Sequence, residues 1–273
     1  MTTVTSWMSV SDSGKRTFYL GADSLGSSES GEPISNMEKK VYISPSTAEI
    51  FAFSGDVGWG RHFLRELTKK IPFGKFNNPI ATVERANEFC AHASARRPIN
   101  AFTGIEVAYG ARHEDNNGYE FRLFLLSCGG LEGDAWSVCR VGEDELASTQ
   151  SVHVYSGGLG GKEFQKRQKW IVGGDQGQVA RAFFWTLCDL VDGVPRNDLM
   201  TGGFPQLAKI DSTGSASPIG VVYHGVPTVF GSRVSDSGGR AKVWVDENFT
   251  QLKPTSLEKY SRAQQYARRE NGR

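Results

Sequence analysis

The chain has almost no excess of either charge, no long apolar run and no paired cysteines, and each absence removes a class of function. Lys and Arg number 31 against 30 Asp and Glu, for a formal net charge of +1. No broad basic surface is therefore expected to attract nucleic acid or an anionic membrane. No window approaches the ~20 apolar residues that span a bilayer, and residues 1–11 are polar, without the basic start and apolar core of an export signal. A cytoplasmic protein with no nucleic-acid or membrane partner is the expectation. Cys90, Cys128, Cys139 and Cys188 are widely spread with no C-x-x-C pair, so a zinc knuckle or a disulfide framework has no support. His62, His92, His113, His153 and His224 are scattered without metal-ligand spacing. No solenoid-length repeat or long low-complexity tract is present.

The periodicities that are present change along the chain. Residues 2–10, rich in Thr and Val, then a turn over 11–15 and an apolar run over 17–22, predict a β-hairpin. A Ser/Gly-rich loop follows, and 41–43 with 50–53 predict a second hairpin. Phe63, Leu64, Leu67 and Ile71 recur at helical spacing until Pro72. Pro79 suits a first helical turn, and Ile80, Val83, Ala86, Phe89, Cys90 and Ala93 predict a second helix reaching about Ala95. Strand-like runs at 105–111, 121–127, 136–141 and 152–155, separated by turn residues, predict an antiparallel meander. A helix is expected over 178–191, then strands at 208–210, 219–230 and 241–245. Strands and helices do not alternate as a parallel sheet requires, so an α+β fold of antiparallel sheets with helices outside is favoured.

The second residue carries the chemistry. If Met1 is removed, Thr2 supplies a hydroxyl nucleophile and a free α-amine together. An α-amine titrates near ~7.7–8.0, so part of it is neutral at cellular pH and can accept the hydroxyl proton. A chain beginning Met-Thr says little by itself. Its neighbours say more: Gly21-Ala22-Asp23-Ser24 ends the first hairpin, Glu38-Lys39-Lys40-Val41 opens the next strand, and Phe53-Ser54-Gly55-Asp56-Val57-Gly58 joins a strand to a helix. Read singly, Asp23 is a strand-end turn residue, Lys40 a solvated edge charge and Gly55 an ordinary turn glycine; their joint order is what points to a site.

That order resembles the proteasome β-subunit family, which includes the bacterial HslV peptidases. By position Thr2 matches the family's nucleophile, Asp23 its acidic residue, Lys40 its lysine and Gly55 its oxyanion-hole glycine. Tyr155-Ser156-Gly157 resembles the family's Gly-Ser-Gly turn, with Tyr155 in place of a glycine, and Asp198-Leu199-Met200-Thr201-Gly202 resembles its Asp-x-x-Ser-Gly turn. Ser156 and Asp198 match directly; Thr201 keeps the hydroxyl where Ser is usual. By length the chain lies nearest the beta-proteobacterial proteasome homologues, with the Anbu branch second. The first hairpin is longer than in typical members.

The resemblance covers about residues 2–211. It implies a core over 2–211, a C-terminal β extension over 212–258 packed on the same domain, and a basic polar tail over 259–273. It implies an N-terminal-nucleophile hydrolase fold, a four-layer αββα sandwich of two antiparallel sheets flanked by helices. The implied activity is threonine-type peptide hydrolysis inside stacked rings of six or seven copies. Peptides or unfolded proteins are the expected substrates, a separate ATP-driven unfoldase the expected partner, and no metal or organic cofactor is expected. Lys40 is expected beside Thr2, Asp23 to orient it, the Gly55 N–H to face the oxyanion, and Ser156, Asp198 and Thr201 to hold the amine and a water. A catalytically inert ring and a small-amide hydrolase of the same superfamily are the rivals. The Gly-rich 157–162 segment resembles a phosphate loop, but Ser156 stands where its first Gly belongs and Glu163 where a magnesium-binding hydroxyl belongs. Cys128 with His153 as a nucleophile pair has only two unrelated strand positions behind it.

Overall fold

Alternation of side chains through two strands of each hairpin creates the layers of this protein. The computed structural model describes residues 2–27, 33–73, 76–95, 104–116, 118–129, 135–172, 179–193, 201–234 and 241–260. The first hairpin is β1 (Val4–Val10) with β2 (Arg16–Ala22). A short two-stranded sheet, β3 (Gly26–Ser27) with β4 (Pro33–Ser35), precedes the second hairpin, β5 (Val41–Ile43) with β6 (Glu49–Gly55). Helix α1 (Val57–Lys70) starts at Asp56, whose carboxylate accepts the Trp59 N–H at 2.8 Å, and ends in a 3-10 turn, Ile71–Phe73. Then come α2 (Val83–Ser94), the long pair β7 (Ile105–Asp115) and β8 (Gly118–Cys128), and β9 (Ser137–Val141). They are followed by α3 (Glu143–Ala147), β10 (Val152–Gly157), α4 (Gly161–Val172) and α5 (Ala180–Val191). The last strands are β11 (Gln206–Ile210), β12 (Ala216–Tyr223), β13 (Val226–Val229), β14 (Ser232–Arg233), β15 (Val243–Asp246) and β16 (Gln251–Leu252).

Two large sheets result. One is five-stranded in the order β5-β6-β7-β8-β9; the other is nine-stranded along β10-β1-β2-β11-β12-β13-β14, with β15 joined to β12 and β16 to β15. Ile50 and Ala52 of β6 face Val4, Met8, Phe18 and Leu20 of the first hairpin in a core between the sheets. Their neighbours Phe51 and Phe53 point the other way, into a second core with α1 and α2. On the nine-stranded sheet, Trp7, Leu207, Ile219 and Val221 form a third core with Phe164 of α4 and Phe183 and Leu187 of α5. This is the two-residue period of a strand buried on both faces. The sheets approach closely at Gly110, where a Cβ would lie 2.3 Å from Phe18 Cε1.

Several expected boundaries change. Helix α2 begins at Val83 rather than near Pro79, because the Thr82 hydroxyl accepts the Arg85 N–H at 3.1 Å and Ala81 has a φ of 63°, outside the helical region. The expected four-strand meander loses its last member: β10 pairs with β1 in the other sheet. The expected 219–230 strand is broken into β12 and β13 by a turn in which His224 and Gly225 both have positive φ. One pairing departs from the antiparallel expectation, since β12 and β15 run parallel. Helices α3 and α4 were not anticipated from the sequence. Of the expected basic tail over 259–273, residues 261–273 lie outside the described residues.

Candidate active site

The site forms where β1 and β2 leave their last registered pair, Val4 opposite Ala22. One step further the chain uses a side chain to continue the ladder. The Asp23 N–H donates to the Thr3 carbonyl at 3.3 Å, and the Thr3 N–H donates to Asp23 Oδ1 at 2.8 Å. Asp23 Oδ2 accepts the Leu25 N–H at 3.1 Å and the Gly202 N–H at 3.3 Å. Lys40 Nζ donates to Oδ1 and Oδ2 at 3.2 and 3.1 Å and to the Leu25 carbonyl at 2.5 Å. Thr3, Asp23 and Lys40 are completely buried.

Complete burial dominates the electrostatics of this pair. Loss of water pushes the Lys40 ammonium below its ordinary range, opposed by the charge and hydrogen bonds of Asp23 and by the charge of Glu38. Burial likewise pushes the Asp23 carboxyl up, opposed by Lys40 and by the N–H donors of Thr3 and Gly202.

Thr2 is 1% exposed, and among the described residues its hydroxyl has no hydrogen-bond partner. Lys40 therefore reaches the start of the chain through Asp23 and Thr3, without a hydrogen bond to Thr2 Oγ1. Gly158 covers the Thr2 backbone: a Cβ there would lie 1.8 Å from the Thr2 carbonyl oxygen and 3.1 Å from Ser54 Cβ. The next residue of β6 is Gly55, with a φ of 106° and space for a Cβ blocked by the Gly104 carbonyl at 2.2 Å. Glycine is required at Gly55 on both counts. Thus β6 brings Ser54, the neighbour of Gly55, against the Gly158 turn that covers the Thr2 carbonyl.

The remaining expected residues are distributed unequally. Thr201 lies in the site, its Oγ1 2.8 Å from Thr3 Oγ1. Ser156 stands opposite Thr5 in β1 and its hydroxyl donates to the Gly161 carbonyl at 3.0 Å, at the start of α4. Asp198 lies outside the described residues.

Four groups at this site are not among those expected from the sequence. Thr3 bonds to both Asp23 and Thr201. Gly160 makes room for that threonine pair, since a Cβ there would lie 1.8 Å from Thr3 Oγ1 and 2.7 Å from Thr201 Oγ1. Gln206 ties Asp23 to the Lys40 backbone. Glu106, opposite Ser54 in the β6–β7 register, accepts a hydrogen bond from the Tyr155 hydroxyl and joins the two sheets beside Gly157. The Gly-rich spacing around 157–161 could have signalled close backbone approach; the other three are ordinary residue types in ordinary strand positions.

Among the described residues no group of three His, Cys, Asp or Glu side chains is placed to hold a metal, and no helix is long and apolar enough to cross a membrane. Compared with protein-family models and with curated proteins, the chain matches none.

Proposed function

We propose that this chain is a threonine-type peptidase subunit of proteasome-like, N-terminal-nucleophile architecture, working in the cytoplasm as stacked homo-oligomeric rings. The observation that supports it best is the completely buried Lys40–Asp23 pair bonded to the backbone of Thr3, next to a buried Thr2 hydroxyl that has no partner among the described residues. A buried ion pair is costly to keep for stability alone. Its position at the chain start gives it a use.

Removal of Met1 frees the Thr2 amine. That amine takes the hydroxyl proton as Oγ1 bonds to the substrate's carbonyl carbon, and the Gly55 N–H receives the oxyanion. The carbon–nitrogen bond then breaks, the proton passes to the departing amine, and an ester to Thr2 remains. Water, deprotonated by the same amine, attacks the ester and regenerates the hydroxyl. Lys40 favours the neutral amine through its charge, and Asp23 fixes the direction of Lys40. Unfolded chains delivered by an ATP-driven unfoldase are the proposed substrates.

A peptide epoxyketone bonds to both amine and hydroxyl of an N-terminal threonine. The expected result is an adduct mapped to Thr2 in protein lacking Met1, absent in Thr2→Ala, with native mass giving the number of subunits in the same sample. Thr2→Ala protein that hydrolyses peptides at the original rate overturns the assignment. Assembled rings with no adduct and no turnover favour the inert ring instead.

A further inference from the structure

Gln206 opens β11 opposite Ala22 of β2 and is completely buried. Its Oε1 accepts the Lys40 N–H at 3.0 Å and the Val41 N–H at 3.2 Å. Its Nε2 donates to the Asp23 carbonyl at 3.1 Å and to the Glu38 carbonyl at 2.6 Å. Both acceptor sites and both hydrogens of the amide are therefore occupied. The two segments it binds belong to different sheets: Asp23 follows β2 of the nine-stranded sheet, and Lys40 precedes β5 of the five-stranded one. Gln206 is the backbone link between the two halves of the charged pair.

The C-terminal segment presses on this link from behind. A Cβ on Gly231 would lie 2.7 Å from Ser24 Cβ and 3.3 Å from Gln206 Nε2. The preceding residue, Phe230, places its ring centroid 4.4 Å from Lys39 Nζ, and Tyr42 places its own at 4.6 Å. Phe230 and Gly231 both have positive φ, 51° and 74°, so the turn between β13 and β14 is bent to make these contacts. Aromatic faces thus hold the Lys39 ammonium, and the amide of Gln206 joins the Phe53 N–H, which donates to the Lys40 carbonyl at 3.3 Å, in holding the Lys40 backbone. The charged groups acting on Lys40 are Asp23 and Glu38, the latter paired with Arg61 at 3.0 Å.

We propose that Gln206 is a positioning residue that sets the Lys40 ammonium against Asp23, and that the Phe230–Gly231 turn of the C-terminal segment keeps it there. The kinetic part of this proposal rests on the peptidase reading; the effect on Lys40 does not. Gln206→Glu keeps an oxygen for the Lys40 and Val41 N–H groups and loses the Nε2 donors. Gln206→Met loses both. Phe230→Ala disturbs the support without touching the pair.

The experiment uses the full-length assembled protein with lysine carrying carbon-13 at Cε, the Lys40 signal being assigned with Lys40→Arg. Its readouts are the Lys40 titration and the pH dependence of kcat. In Gln206→Met the Lys40 titration moves by roughly half a unit or more, and in both Gln206 variants kcat falls roughly tenfold or more while KM stays within about threefold. Phe230→Ala moves both in the same direction by less. Should Gln206→Met fail to fold, Phe230→Ala, which adds no charge, decides the matter; the carboxylate of Gln206→Glu moves the Lys40 titration by its charge alone, so only the kinetics of that variant are read. An unmoved Lys40 titration and unmoved pH profile in folded variants overturn the proposal. A wild-type protein with no turnover and no epoxyketone adduct overturns the peptidase reading, and the Lys40 titration still decides the role of Gln206.

Discussion

Asp23 Oδ1 accepts the backbone N–H of Thr3 at 2.8 Å, so the carboxylate that binds the lysine also fixes the opening of the first strand. Two requirements of one site, orientation of Lys40 and placement of Thr2, therefore depend on one side chain. The order Thr2, Thr3, Asp23, Lys40 is a continuous path of bonds and hydrogen bonds.

The first prediction concerns that path. Lys40→Met leaves Asp23 buried without its ammonium, and Asp23→Asn leaves Lys40 buried without its carboxylate. Each single change is expected to cost about 3–5 kcal/mol of stability. The double variant should cost clearly less than the two summed, because the residues are in direct contact. Denaturant midpoints of the four proteins give the coupling. Additive losses would show that the pair is not energetically a unit.

A second prediction isolates the packing around the chain start. Gly158 has a φ of 72° and Gly225 a φ of 76°, so alanine at either position pays a similar left-handed penalty, about 1–2 kcal/mol. Around Gly225 there is nothing within 4 Å, whereas the new Cβ at Gly158 meets the Thr2 carbonyl at 1.8 Å. Gly225→Ala should keep its turnover and epoxyketone labelling. Gly158→Ala should lose both by at least about tenfold, and equal labelling of the two variants would refute close contact between this turn and Thr2.

A third prediction separates stability from chemistry. Glu49, at the opposite end of β6 from Gly55, accepts from Arg85 Nε and Nη2 at 3.3 Å each, from the Tyr109 hydroxyl at 2.8 Å and from the Thr47 hydroxyl at 2.6 Å. Burial, reinforced by the Glu49 charge, holds Tyr109 far above the usual phenol range, so it remains a donor at any working pH. Arg85→Met leaves a buried carboxylate with only neutral donors and should destabilise by about 3–5 kcal/mol. The strand separates this cluster from Gly55 by roughly 20 Å, so turnover per folded molecule should be unchanged. A fall in kcat would show that the cluster belongs to the site.

The fourth prediction is a pH dependence. The ring of His153 stacks on Phe164 at 5.1 Å, and burial lowers its pKa from 6.5 to about 4, opposed by a hydrogen bond to the Tyr155 backbone. The unfolded chain binds the proton near 6.5 and the folded one only near 4. Its contribution to stability is thus complete above pH ~6.5 and is lost as the pH falls toward 4, by at most about 3 kcal/mol. His153→Phe should flatten stability across that window relative to the parent protein. An identical slope in both would place the titration elsewhere.

How far the sequence could be read depends on where each signal is stored. The two opening hairpins and α1 and α5 are legible because their apolar spacing is local and strongly periodic. Pro79 is a strong local signal that places the start of α2 too early, while the deciding cap, Thr82, is a weaker one. Helix α4 is not legible in the sequence, because its Gly-rich approach reads as a loop. At the site, Asp23, Lys40 and Gly55 stand out by order along the chain. Thr3 and Gln206 do not, because a threonine and a glutamine in strands look like any others until their partners are known.

The sequence by itself determined the hairpins, the helical period through Phe63, Leu64, Leu67 and Ile71, and the positions of the acid, the lysine and the turn glycine. These follow from short-range pattern and residue chemistry. Tertiary structure alone decided that β10 joins β1, that Thr201 meets Thr3, and that one glutamine spans two sheets to hold Lys40 near Asp23. Such contacts join residues far apart in the chain. Their partners are chosen when the sheets pack and every buried polar group must find its hydrogen bond, a condition that applies only to the folded whole.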